Sequence, residues 1–336
     1  MARLQDIAAS ARVSIKTASR VVNGEPGVAP ETEARVRRAV KALAYVPNVA
    51  ARRLVRRRAF VLGVVYQNRS WNWLNDFQSG AIREARSLGY EVLMHPCDPR
   101  DQTERELLLR SLDQKSVDGL ILTPPCGDFE DLGRELAARS FPAVGISPAL
   151  REGDRSSVGA SDHEGARAMG EHLTGLGHRR IAFVTGGPEQ QSSHDRQAGF
   201  RSALEAKGVA WDPANVLEGD FSFESGVARG RALLALEPRP TAVFACNDDM
   251  AAGILWACHE QGVAVPRELS VAGFDDVALA RQVWPPLTTV RQPTAEMAAL
   301  ATRLLVEILD GAAPAARHPV LPTELVLRAS TEPPCS

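Results

Sequence analysis

From residue 59 onward the sequence keeps returning to one pattern: a short apolar run bounded by Gly, Pro or Asp, then a longer stretch with apolar positions at helical spacing. "FVLGVVY", "YEVLMHP", "DGLILTP" and "PAVGIS" are four such runs, and "RRIAFVTG", "TAVFAC" and "LSVAGF" repeat the scheme further on. Runs this apolar suit strands buried on both faces. Strand alternating with helix implies parallel pairing through right-handed crossovers, and hence doubly wound sheets. The stretch is too long for a single core, so the pattern predicts two similar subdomains with a cleft between them.

Ligands of such sheets bind beyond the carboxyl ends of the strands, which makes the residues after each run informative. "FVLGVVY" is followed by Trp71 and Trp73, "RRIAFVTG" by Arg196, "NVLEG" by Phe221, "TAVFAC" by Asn247 and Asp248, and "LSVAGF" by Asp275. Aromatic faces beside Asn, Asp and Arg suit a sugar, whose C–H faces lie on rings while its hydroxyls need donors and acceptors. Asp248 and Asp276 are expected as helix caps. The pairs Asp248-Asp249 and Asp275-Asp276 do not form a glycosidase dyad, because sequence neighbours point apart and two catalytic carboxylates must face one bond. The chain has no HExxH, GxSxG or phosphate loop, and His163, His172 and His178 lack metal-ligand spacing. A carbohydrate-modifying enzyme is therefore a remote second class, and no metal or cofactor is expected.

The first 58 residues differ in charge. They hold 13 Lys and Arg against 4 Asp and Glu, whereas the remaining 278 hold 26 of the 39 basic residues and 37 of the 41 acidic ones. A basic head on an acidic body points to a nucleic-acid or anionic-surface contact at the N-terminus. A disordered basic tail would lack apolar periodicity, and this stretch has it. Leu4, Ile7, Ala8 and Ala11 mark one face of a short helix. After a break at Arg12 and Val13, Ser14 caps a second helix with Ala18, Val21 and Val22 on its apolar side, ending at Asn23-Gly24. Two short helices joined this tightly make a helix-turn-helix, with Ile15, Lys16, Ser19 and Arg20 facing outward as base edges and phosphates require. A third helix starts at Pro30 and is expected to bury Val36, Val40 and Leu43.

"DIAASARVSIKTASRVVNG", "PETEARVRRAVKALAYVPNVAARRL" and "VAGFDDVALARQVWPPLTTVRQP" together resemble the lactose-repressor (LacI/GalR) family of bacterial transcription regulators. The likeness runs through nearly the whole chain. It departs at Ala18, where the family usually has Val, and at Ala29, where a capping Ser or Thr is usual. The resemblance implies an all-α helix-turn-helix head (1–46), a hinge (47–58) and an α/β core (59–336) of two doubly wound parallel-sheet subdomains like the periplasmic binding proteins. The core would divide into an N-subdomain (59–158 and 291–318) and a C-subdomain (159–290 and 319–332), with crossings near 158, 290 and 319. DNA contact is carried over to Ser14, Ile15, Lys16, Thr17, Ser19, Arg20 and Asn23. In the hinge, Asn48, Ala51 and Arg57 join it, with Leu54 as a minor-groove wedge. Effector contact is carried over to Arg196, Phe221, Asn247 and Asp275, and Trp71 and Trp73 lie in the equivalent first loop. The partners implied are a palindromic double-stranded operator, a small sugar and a second copy of the chain, with a co-repressing purine or nucleoside as the alternative effector.

No signal peptide or membrane span is visible, and five cysteines without CxxC spacing fit a reducing compartment, so a cytoplasmic protein is expected.

Overall fold

The computed structural model describes residues 2–22, 27–45, 58–67, 69–147, 155–312 and 317–335. The chain forms two units, Met1–Ala59 and Phe60–Ser336.

In the first unit, α1 (Leu4–Ala11) ends where Arg12 takes a left-handed φ of 53°. The turn closes on Ser14, whose Oγ accepts from Thr17 N at 3.0 Å and so caps α2 (Ile15–Val22). α3 (Pro30–Ala42) opens with proline at its first position and has no side-chain cap on Ala29. Ile7, Ala8, Ala11, Ala18, Val21, Val36 and Ala39 form the small core. Val40 packs against it, but Leu43 is exposed. The helix stops at Ala42, so helical spacing no longer directs Leu43 inward, and Ala39 takes the buried place expected of it.

The second unit has two lobes. The first is a six-stranded, all-parallel sheet in the order β11-β5-β4-β3-β1-β2. Its strands are β1 (Val61–Tyr66), β2 (Glu91–Pro96), β3 (Gly119–Leu122), β4 (Ala143–Ile146), β5 (Ser157–Ala160) and β11 (Val320–Leu321). One face packs on α4 (Trp71–Ser87) and α12 (Thr294–Leu309) through Phe77, Met297 and Leu305. The other packs on α5 (Gln102–Asp113) and α6 (Glu130–Ala138) through Leu108, Leu112, Leu132 and Leu136.

The second lobe is a four-stranded parallel sheet, β7-β6-β8-β9, of β6 (Ile181–Thr185), β7 (Val216–Glu218), β8 (Ala242–Ala245) and β9 (Ser270–Ala272). Its helices are α7 (Asp162–Gly175), α8 (Gln191–Ala206), α9 (Phe223–Leu234), α10 (Asp248–Glu260) and the short α11 (Ala278–Gln282). All seven apolar runs read from the sequence are strands, and the doubly wound reading holds for both lobes.

The chain passes between lobes three times. It leaves the first after β5, returns between β10 (Thr289–Arg291) and α12, and leaves again between β11 and β12 (Glu324–Val326), which pairs antiparallel with β10. Residues 159–160 and 320–321 stay in the first sheet, so the crossings at its exits fall a few residues beyond 158 and 319. The crossings lie side by side: Thr323 N donates to Ser161 Oγ at 2.9 Å, and Gln292 Nε2 to Asp162 Oδ1 at 3.4 Å.

Helices within a lobe approach until only glycine fits. A Cβ on Gly199 of α8 would lie 2.0 Å from the His163 carbonyl oxygen of α7. Gly199→Ala should therefore lower stability by ~1–3 kcal/mol through overpacking, less the ~0.5–1 kcal/mol that Ala returns as a helix former. Urea unfolding checks this, and a neutral or stabilising result would refute the contact.

Candidate functional site

Two surfaces gather the polar residues singled out in the sequence. On α2, Ile15 is 49% exposed, Lys16 is exposed, and Ser19 and Arg20 are half-buried beside Leu4 around a shallow concavity. Ser14 and Thr17 share a 2.8 Å hydroxyl contact within the cap, so both position the helix start. Asn23, Asn48, Ala51, Leu54 and Arg57 lie outside the described residues.

The second surface is the cleft between the lobes. Arg196, only 3% exposed, comes from the first turns of α8. Its Nε donates to Asp162 Oδ1 at 2.8 Å, its Nη1 to the Cys246 carbonyl, and its Nη2 lies 3.3 Å from Asp275 Oδ1. The guanidinium also sits 3.7 Å over the Phe274 ring. Asp275 follows β9 with φ at 111°, a backbone conformation that costs free energy in a non-glycine residue. It is clamped there by its own N–H to Val290 O at 2.7 Å and by Gln292 N donating to its carbonyl at 3.1 Å. Its Oδ1 faces Arg196 without meeting hydrogen-bond geometry. Burial pushes the Asp275 carboxyl up to about 7 despite Arg196.

Asn247 caps α10, accepting from Met250 N at 3.0 Å, while its Nδ2 donates to Phe221 O at 2.9 Å. That bond holds Phe221 at a left-handed φ of 66°, with its ring against Gly186, where a Cβ would come within 1.9 Å of it. Trp73 lies in the cleft wall, its ring 5.1 Å from that of Phe77 and its Nε1 donating to Gln292 Oε1 at 2.7 Å. Trp73, Arg196, Phe221, Asn247 and Asp275 thus line one cleft. Trp71 is not in that lining: it is 70% exposed at the rim of the gap, beside Arg69 and Asp220.

The sequence did not single out Ser70, Ser147, Ser192 or Gln292, which line the same cleft. Ser147 takes a φ of 41°, and its buried Oγ has no hydrogen-bond partner. Asp248 and Asp276 are not caps. Asn247 already occupies the cap of α10, so Asp248 sits inside the helix and accepts from Thr289 Oγ1 at 2.6 Å and Val277 N at 3.0 Å. Burial raises its carboxyl well above the usual range. Asp276 is surrounded by Arg291 at 2.8 Å, Arg328, and Arg281 at 3.6 Å. With their oxygens engaged inside the fold, neither carboxylate is placed as half of a hydrolytic pair. Among the described residues no cluster of His, Cys, Asp and Glu is arranged for a metal, and no helix is long and apolar enough to cross a membrane.

The cleft is nearly shut, with a volume of about 30 Å³, room for little more than a water or two. Asp249 closes it from the second lobe, accepting from Ser70 Oγ and from Asn72 Nδ2 at 2.8 Å. Arg69 pairs with Asp220, and Arg100 with Glu189, across the same gap.

Residues 3–48 match the family of bacterial regulatory proteins of the lacI type, and residues 171–331 match the periplasmic binding protein-like domain. The ribose operon repressor of Haemophilus influenzae is 32% identical over 330 residues, 98% of each chain. A CelR transcriptional regulator in complex with cellobiose superimposes with a TM-score of 0.76 at 32% identity, covering 98% of this chain and 100% of that one. A lac repressor dimer bound to operator and the anti-inducer ONPF gives 0.78 at 30% identity, covering 98% and 99%.

The raised Asp275 carboxyl has a consequence for stability. The folded state holds this proton more tightly than the unfolded chain, so its contribution is largest below about pH 4 and is lost as pH rises towards 7. Relative to Asp275→Asn, which cannot titrate, the parent should gain stability as pH falls from 7 to 4. Chemical denaturation at several pH values reads the difference, and a constant gap between the two proteins would contradict it.

Proposed function

Because this chain belongs to the lacI family of bacterial regulatory proteins, we propose that it is a dimeric repressor whose hold on a palindromic operator is set by a small carbohydrate bound between its lobes. The observation that carries the carbohydrate half is the cleft itself. A buried cation held by two carboxylates, a bare Asp275 oxygen, the unpartnered Ser147 hydroxyl and the Phe221 and Trp73 rings combine charged acceptors, a free hydroxyl and apolar faces. Since the Asp275 Oδ1 that faces the cleft is the oxygen beside Arg196, the set amounts to one ion-paired acceptor, a free hydroxyl and two ring faces, which is the chemistry a polyhydroxylated ring needs. Two relatives support it, one named for the ribose operon and one holding cellobiose.

The cleft as it stands is too small for any sugar. Entry therefore requires the lobes to part, breaking the Asp249 and Asp220 contacts, and the sugar then holds the lobes in a new relation. In a dimer this would change the spacing of the two hinge segments, where Leu54 is the proposed wedge and Asn48, Ala51 and Arg57 the proposed groove and phosphate contacts. On α2, Lys16 and Arg20 are the proposed readers, with Ile15 and Ser19 beside them and Asn23 at the helix end. The sugar acts only through its different affinity for the two arrangements.

Arg20→Ala should weaken binding to the cognate operator by ~1–3 kcal/mol, read by fluorescence anisotropy on a site recovered by genomic selection. Undiminished affinity would remove α2 from the reading surface. For the cleft, thermal-shift screening of sugars, with ribose and cellobiose first, and of purines should find a stabilising ligand. Calorimetry should then show Asp275→Ala binding it at least roughly tenfold more weakly, while operator affinity without ligand persists. Unchanged affinity would refute the cleft assignment, and stabilisation by purines alone would replace the sugar with a nucleobase.

A further inference from the structure

Away from the cleft, the first lobe carries a second concavity, about 530 Å³, between α6 and the amino ends of β4 and β5. This is the size of a small-molecule pocket, for which ~300–1,000 Å³ is usual. Phe129, Leu136, Phe141 and Ile308 give it apolar walls, and Arg155 stands against them just before β5. None of these residues lines the cleft.

Arg155 is the unusual member. Its Nη2 donates to the Gly133 carbonyl at 3.3 Å, and among the described residues no carboxylate pairs with it. Partial burial draws its pKa down. Arg134, the other cation of the groove, is already held by Asp131 at 2.6 Å. Gly133 lies inside α6, where glycine costs ~0.5–1 kcal/mol relative to Ala. What its missing side chain admits is this guanidinium, since a Cβ there would lie 3.1 Å from Nη2. A cation withdrawn from water without a counter-ion is destabilising, and an arriving anion relieves that cost. Asp128 and Glu130 also line the groove and disfavour a ligand with several negative charges.

We infer that this groove is a second small-molecule site, taking an organic monoanion with an aromatic or alkyl body, its anionic head on Arg155 and its body against Phe129, Phe141 and Ile308. The inference does not depend on the sugar reading of the cleft.

The test uses two dyes of the same shape on the full-length protein, 8-anilinonaphthalene-1-sulfonate and the uncharged N-phenyl-1-naphthylamine. The anionic dye should bind saturably to the parent, roughly tenfold or more weakly to Arg155→Met, which keeps the apolar stem, and not at all to Ala137→Trp, which fills the groove from an exposed position. The uncharged dye should bind the parent and Arg155→Met alike. Thermal melts confirm that each variant is folded. Anionic-dye binding that is absent from the parent, or unchanged in both variants, would overturn the assignment, as would equal losses of both dyes in Arg155→Met.

Discussion

Arg196 is the group on which the second lobe's half of the cleft depends. Its donors reach the start of α7, the carbonyl ending β8 and the carboxylate after β9, and its flat face lies on Phe274. Arginine alone offers a rigid, always-charged fork of this reach. Without it, Asp162 and Asp275 would lose the buried cation they share, a far larger cost than the loss of a surface ion pair. Asp162 also receives Gln292, so the same ion network fixes two of the three crossings between the lobes. Geometry at the site and geometry at the hinge are therefore one problem with one solution.

The contacts that shut the cleft differ in kind from those that build it. Arg196 is sealed from water, whereas the Arg69–Asp220 pair is largely exposed and contributes little in water. Asp249 is intermediate: it is buried, it accepts from two side chains of the opposite lobe, and burial raises its carboxyl. A ligand entering the gap would thus compete with contacts that it can replace, while the Arg196 network behind them is left intact. Such an arrangement lets two lobe positions differ by little free energy without softening either lobe.

Much of this was legible in the sequence because it is periodic. The apolar runs became the seven principal strands, and the spacing of Ile7, Ala8, Ala11 and Ala18 gave the core of the head. Strands β5, β10, β11 and β12 were not visible, since their residues, such as Thr289–Arg291 and Glu324–Val326, do not form the continuous apolar run that marks the others. Trp71 and Trp73 show how a loop reading fails. Both fall on α4, where residues two apart point about 200° from each other, so one ring enters the cleft and the other faces outward. Ser70, Ser147 and Gln292 are ordinary polar residues in sequence and acquire meaning only where the crossings and strand ends converge. Asp248 was misread because the cap falls one residue earlier, on Asn247.

The threefold passage of the chain also orders its synthesis. The first lobe's sheet takes its last strand from Val320–Leu321, and one of its faces is covered by Thr294–Leu309, both made after the entire second sheet. While a ribosome is still translating the second lobe, the first therefore exposes the apolar face that Met297 and Leu305 will cover, together with an open edge at β5. Neither lobe is a finished product on its own, and the nascent chain elongates through the whole second lobe with an uncovered first sheet, the state in which strand edges and apolar faces are most prone to association.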